Sequence, residues 1–150
     1  MRLAVSRSGA ILALASLLQA CGGGGSSDGV PGSGSRARVS ISATDVSVSA
    51  TPGEITPVRT VTLTATNPPP AGLYVEGAYS AAGIDTIDFV GNSATQGTLT
   101  ITFRSPGSMQ NGTYPDTVEL RVCTEQPCVN QVSGSPLTVR TSYVVSGTGT

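Results

Sequence analysis

Arg59-Thr60-Val61-Thr62-Leu63-Thr64-Ala65-Thr66 is the stretch whose reading decides the fold. From Thr60 onward, hydroxyl and apolar side chains alternate residue by residue along it. In an extended strand successive side chains point to opposite faces, so the period of two gives one dry face and one wet face. Threonine suits the wet face, because its β-branch fits a pleated surface and its hydroxyl stays hydrated. Working outward, the same alternation recurs in Val39-x-Ile41-x-Ala43, Val46-x-Val48-x-Ala50, Leu99-x-Ile101-x-Phe103, Val118-x-Leu120-x-Val122, Leu137-x-Val139 and Tyr143-x-Val145. No window of helical length repeats its apolar residues at 3.6 spacing. The pattern predicts an all-β chain with antiparallel sheets, each half in water.

The runs are separated by residues that set or permit turn dihedrals: Thr51-Pro52-Gly53, Asn67-Pro68-Pro69-Pro70, Gly91-Asn92, Ser105-Pro106-Gly107, Asn111-Gly112 and Gly134-Ser135-Pro136. About seven or eight short strands at this spacing predict a two-sheet sandwich with Greek-key connections. Within it, Gly112-Thr113-Tyr114-Pro115-Asp116-Thr117-Val118-x-Leu120-x-Val122 resembles the G-T-Y-x-x-T-V-x-V-x-V run found late in bacterial immunoglobulin-like modules, among them the BACON group. The resemblance covers roughly residues 38 to 146. It implies an immunoglobulin-like antiparallel β-sandwich, with Tyr114 as a tyrosine corner whose hydroxyl bonds nearby backbone.

The amino-terminal segment is of another kind. Arg2 and Arg7 precede an apolar run, Ala10-Ile11-Leu12-Ala13-Leu14-Ala15-Ser16-Leu17-Leu18, which is shorter than the roughly 20 residues of a membrane-spanning helix. The run ends in Leu18-Gln19-Ala20-Cys21, which resembles the lipobox of bacterial lipoproteins. That resemblance implies cleavage before Cys21, diacylation of its thiol, and attachment to membrane lipid. More than one acyl chain is needed for stable anchoring, since each buried CH₂ contributes about 0.8 kcal/mol. An ordinary signal peptide with a coincidental cysteine is the alternative. Gly22-Gly23-Gly24-Gly25-Ser26-Ser27-Asp28-Gly29 has the composition of a flexible tether. Gly22 rather than Asp after the cysteine favours the outer membrane by family analogy. The expected organisation is therefore a signal peptide over residues 1–20, a lipidated tether over 21–35, and one sandwich over 36–150.

With Cys21 given to lipid, Cys123 and Cys128 remain as an even pair in an oxidising compartment, and a disulfide is expected. Free or reactive thiols are the alternative. The chain has no histidine, and a lone C-x4-C supplies two of the four ligands of a structural zinc site. If Val118, Leu120 and Val122 face the core, parity sends Cys123 outward. The bridge is then expected on the surface, clipping a hairpin between the last two strands, with Ser133-Gly134-Ser135-Pro136 as a bulge or break in the closing strand.

Chemistry is sparse. All eight basic residues are arginine, and Arg2 and Arg7 fall in the signal, so six face nine acidic residues beyond it, a net charge of −3. Six scattered cations make no track for a phosphate backbone, which argues against nucleic acid. Serine or cysteine catalysis lacks a histidine or lysine base, and no G-x-S-x-G elbow is present. Asp85 and Asp88 are the one close carboxylate pair in a strand-like context. A regular strand sends them to opposite faces, so neither a glycosidase pair nor a calcium site with Asn92 is expected. Tyr74 and Tyr79 also have opposite parity, which places at least one of them in the core. No cofactor, metal or catalytic residue is expected. The function expected from the sequence is a non-catalytic structural or protein-interaction domain on the envelope, with a carbohydrate-binding module as the alternative.

Overall fold

The computed structural model describes residues 2–3 and 36–147. The elements are β1 (Arg2–Leu3), β2 (Arg38–Ile41), β3 (Asp45–Ala50), β4 (Val58–Thr66), β5 (Tyr74–Tyr79), β6 (Ile84–Gly91), β7 (Gln96–Phe103), β8 (Gly112–Cys123) and β9 (Leu137–Val145), with a 3₁₀ turn at Pro106–Ser108. They form two sheets, ordered β1-β5-β8-β9-β3 and β2-β4-β7-β6. Pairing is antiparallel except for β3 with β9 and β1 with β5. The fold is the two-sheet β-sandwich that the alternation predicts, immunoglobulin-like as the resemblance implies, and its parallel pairings of β3 with β9 and β1 with β5 depart from the expected all-antiparallel sheets. The segments expected as signal peptide and tether, with Cys21, lie outside the described residues, apart from the pairing of Arg2 and Leu3. Among the described residues, no helix is long and apolar enough to cross a membrane.

The alternation works as the sequence requires. Along β4, Val61, Leu63 and Ala65 are buried while the threonines between them are exposed. The facing runs Leu99-x-Ile101-x-Phe103, Val118-x-Leu120-x-Val122 and Val139-x-Thr141-x-Tyr143 complete one continuous core. Their β-branched and aromatic side chains interdigitate between the sheets, and burying each contributes about 1.5–3 kcal/mol. The runs at Leu137 and Tyr143 are one strand joined through Thr141.

Two strands, β5 and β6, lack a clean alternation in the sequence, and each has a physical reason. In β5, Gly77 interrupts the pattern where the Ile87 side chain crosses it; a Cβ there would lie 2.8 Å from Ile87 Cδ1. In β6, the pairing with β7 shifts register between Ile84 and Thr86, a bulge at Asp85.

Between β5 and β6 the chain leaves one sheet for the other, and a single side chain organises the bend. Asp116 is 4 % exposed on the core face of β8. Its Oδ1 accepts the Ala82 N–H at 2.9 Å, and its Oδ2 accepts those of Gly83 at 2.6 Å and Ile84 at 3.0 Å. Three main-chain donors thus satisfy a carboxylate that would otherwise be costly to bury. Gly83 is required by proximity, because a Cβ there would meet Tyr114 Cβ at 3.0 Å and Tyr143 Cδ1 at 3.1 Å. Tyr114 forms the expected corner, its hydroxyl donating to the Gln110 carbonyl at 2.7 Å. Tyr143, fully buried, donates to the Arg104 carbonyl at 3.2 Å. Burial pushes the Tyr143 phenol above its ordinary value, with the Glu54 carboxylate and Tyr114 adding to the effect, so it stays protonated as that bond requires. Thr141 is the register partner of Asp116 and 4 % exposed, and its hydroxyl is buried without a hydrogen-bond partner.

These two neighbours should respond oppositely to substitution. Asp116→Ala strands the buried N–H groups of Gly83 and Ile84 and the part-buried one of Ala82, and should lower unfolding free energy by about 3 kcal/mol. Thr141→Val removes an unsatisfied hydroxyl at nearly constant volume and should leave stability unchanged or raise it by up to about 1 kcal/mol. Urea midpoints of both variants check this; a destabilised Thr141→Val would show that the hydroxyl has a partner after all.

Candidate functional site

The expected cysteine pair does meet. Cys123 and Cys128 form a disulfide with their Cα atoms 5.3 Å apart. The bridge is not on the surface, however. Cys123 is 0 % and Cys128 5 % exposed, which corrects the expectation from parity. Parity does send Cys123 to the outer side of β8, away from Val122. What parity cannot see is that the loop after Cys123 folds back over that side and covers it. The Val132 N–H returns to the Val122 carbonyl at 2.9 Å, and Ser135 Oγ accepts the Val122 N–H at 2.8 Å while donating to Gln131 at 2.7 Å. The break before the closing strand is a turn at Gly134, where φ is +91° and a Cβ would lie 2.2 Å from the Val39 carbonyl oxygen. Only glycine fits that combination.

Polar contacts pin the same loop to β5. Arg121 Nη2 donates to the Cys128 carbonyl at 2.9 Å, and the Cys128 N–H donates to Glu76 Oε1 at 3.3 Å. Glu76 and Arg121 are cross-strand partners whose charged ends lie 3.9 Å apart. Both are partly exposed, so the ion pair itself is worth at most about 1 kcal/mol. Its geometric role is larger: one carboxylate and one guanidinium bracket the main chain of Cys128. Further along the loop, Asn130 Nδ2 donates to Glu125 Oε1, and Val129 stands 71 % exposed at the tip.

The loop abuts one end of β5, since Tyr74 is the register partner of Cys123. From there β5 runs along the side of the sandwich to Tyr79, whose hydroxyl donates to the Asp85 carbonyl at 2.8 Å. The candidate surface is therefore a strand flanked on its outer side only by the two-residue β1, with a covalently clipped loop at its end. Such an arrangement offers main-chain hydrogen bonds and shape, not reactive groups.

The acidic residues of β6 do not converge. Asp85 sits in the bulge and Asp88 is paired with Thr100, both exposed, while Asn92 Nδ2 donates to Thr98 at 2.7 Å. Among the described residues, no three His, Cys, Asp or Glu side chains are grouped as metal ligands. A shallow hollow at the opposite end, lined by Thr51, Pro52, Ser146 and Gly147, holds no ionisable side chain. The aromatics are accounted for as well: Phe89, Phe103 and Tyr143 are buried, and Tyr74, Tyr79 and Tyr114 are half-buried. With no tryptophan in the chain, none of its rings lies open as a stacking platform for sugar.

No known family model matches the sequence, and no curated protein matches it. Among solved structures, the chain is similar to a two-domain protein of unknown function from Bacteroides fragilis, at 7 % identity and a TM-score of 0.52. That match covers 75 % of this chain and 46 % of the other, so this chain spans about half its length. A PapD-like domain of human CEP192 is matched over 76 % of this chain and 89 % of that one, at 16 % identity and a TM-score of 0.47. At such identities the likeness is one of fold alone.

Loss of the bridge should loosen the loop more than the sandwich. Cys123→Ala with Cys128→Ala should lower stability by about 2 kcal/mol, the chain-entropy value for so short a loop. Hydrogen exchange should accelerate at Cys128 to Val132 and leave Val118 to Val122 protected. Acceleration across the whole of β8 would show that the bridge holds the sheet itself.

Proposed function

We propose that this chain is an exported, lipid-anchored envelope protein whose sandwich binds another protein and performs no chemistry of its own. The observation that carries the anchor is the cysteine complement. Cys123 and Cys128 bond to each other, and Cys21 is the remaining cysteine, at the end of a lipobox-like sequence. The interaction reading is supported by the β5 edge beside its clipped loop, where the structure lays only the two-residue β1, and by side chains that are solvated or bonded where catalysis would need them convergent. A likeness to immunoglobulin-like folds is compatible with it but argues only for the fold. An outer-membrane location rests on Gly22 following Cys21.

The anchor would also give the domain an orientation. Ser133 donates its N–H to the Ala37 carbonyl, and Arg38 pairs with Thr66, so the chain enters at the end that carries the disulfide loop. Under this reading, residues 21–35 acting as a flexible Gly/Ser tether would reach about 20 Å root-mean-square. The opposite end, with Ile55 91 % exposed, would face away from the lipid surface, and β5 would run between the two.

Replacing Cys21 with Ser should release the protein into the soluble envelope fraction while its circular dichroism and urea midpoint stay unchanged. Retention of Cys21→Ser in the membrane fraction would overturn the anchor. Crosslinking in intact cells, through a photoreactive residue placed at Ala78, should yield one discrete adduct; monomer alone in every growth phase would count against the interaction module.

A further inference from the structure

The β5 edge is weakly defended, with only the two-residue β1 beyond it. Natural sheets blunt their edges with short strands, bulges or charges. Here β2 is four residues long, and β6 is bulged at Asp85 and carries Asp88. On the far side β2 and β3 divide the length between them, the chain crossing from one sheet to the other at Ser42–Thr44. Like β3, β5 is six residues of unbroken register with its neighbour and contains no proline or bulge; its single charge, Glu76, is already engaged by the loop, and it is the edge on which the structure lays a further strand.

Its free hydrogen-bonding groups can be assigned. The Ser80 N–H bonds the Thr117 carbonyl at 3.1 Å, so residues of that parity, Tyr74, Glu76 and Ala78, turn their main-chain groups toward β8. Val75, Gly77 and Tyr79 therefore present both N–H and C=O outward. In the structure a strand is already laid there: β1 pairs with β5 in parallel, Arg2 opposite Tyr74 and Leu3 opposite Val75.

We infer that this edge is a strand-acceptor site, whose ligand is an extended polypeptide segment laid parallel to β5 and held by the main-chain groups of Val75, Gly77 and Tyr79. The inference deepens the protein-interaction reading above by naming the chemistry of the partner. It also follows that cleavage before Cys21 would remove β1 and leave the acceptor free for a segment of another protein. Specificity would come from the side chains flanking the edge and from the Val129 tip of the clipped loop at its Tyr74 end.

The test uses the chain from position 21 onward with Cys21→Ser; the whole core lies between Val39 and Val145, so this form retains it. The probe is the peptide Met-Arg-Leu-Ala-Val-Ser-Arg-Ser, the sequence of residues 1–8. In the observed register, a parallel partner directs the amides of its Ala4 and Ser6 at the edge and those of Leu3 and Val5 away. Binding should slow hydrogen exchange at Val75, Gly77 and Tyr79. N-methylation of Ala4 and Ser6 should weaken binding by about tenfold or more, the equivalent of two lost hydrogen bonds, whereas N-methylation of Leu3 and Val5 should not. No protection at millimolar peptide overturns the site. Equal sensitivity to both methylation patterns also overturns it, as adsorption to an apolar surface. Protection that rises with protein concentration in the absence of peptide makes the occupant a second copy, and overturns the proposed ligand. None of these outcomes bears on the membrane fractionation of Cys21→Ser, so the anchor and the acceptor fail separately.

Discussion

The grip of Asp116 on the main chain of Ala82, Gly83 and Ile84 is the constraint on which the rest of the architecture turns. A chain leaving β5 could form a hairpin and pair beside it, extending the same sheet. Three charge-assisted hydrogen bonds instead hold it at a bend that carries Ile84 into the core and β6 onto β7. Two things follow. The second sheet gains its fourth strand, which closes the core over Ile87 and Phe89. The first sheet is left with β5 lacking a hairpin partner, covered only by the two-residue β1. One buried carboxylate thus accounts for both the completeness of the core and the exposed edge.

The tyrosines reinforce the same place. Tyr114 and Tyr143 pack with ring centroids 6.4 Å apart, and Phe103 lies 5.2 Å from Tyr143. Gly83 passes against the two tyrosines where a side chain would clash, and each of their hydroxyls closes on a backbone carbonyl. The end of the sandwich far from the disulfide is therefore fixed by polar groups inside an aromatic cluster. The other end is fixed covalently, with Glu76 and Arg121 bracketing the loop. Between these two clamps lies β5, rigidly held along one side and unpaired but for β1 along the other.

How much of this the sequence discloses depends on whether the interaction is local. Strands β4, β7 and β8 are legible because burial on one face imposes a period of two, and every residue of Thr60 to Thr66 obeys it. Tyr114 is legible because its corner partner, Gln110, lies four residues away. β5 and β6 are obscured by Gly77 and by the bulge at Asp85, each an accommodation to a contact distant in sequence. Asp116 is the informative miss. It shares parity with Val118 and Leu120, so its place on the core face could have been inferred from the same alternation. Its donors, however, lie more than thirty residues away, and no local pattern announces them. Cys123 fails in the opposite sense: parity gives its side of the strand correctly, but the loop that buries it is not part of the sheet.

An edge like β5 is a liability unless something occupies it, since unpaired N–H and C=O groups along a flat strand template association. The chain has the means to blunt it. Arginine is its only basic residue and occurs on other strands, yet no arginine stands on β5, and the single acid there is turned to the loop. Main-chain complementarity is indifferent to side-chain identity, so an acceptor edge by itself would bind many segments weakly. The clipped loop at the Tyr74 end changes that balance, because a segment running along Val75, Gly77 and Tyr79 must pass a fixed shape that only some sequences fit. Rigidity lowers the entropic cost of that selection, which gives the disulfide a role beyond its modest contribution to stability: it holds the discriminating contact still while the edge supplies the hydrogen bonds.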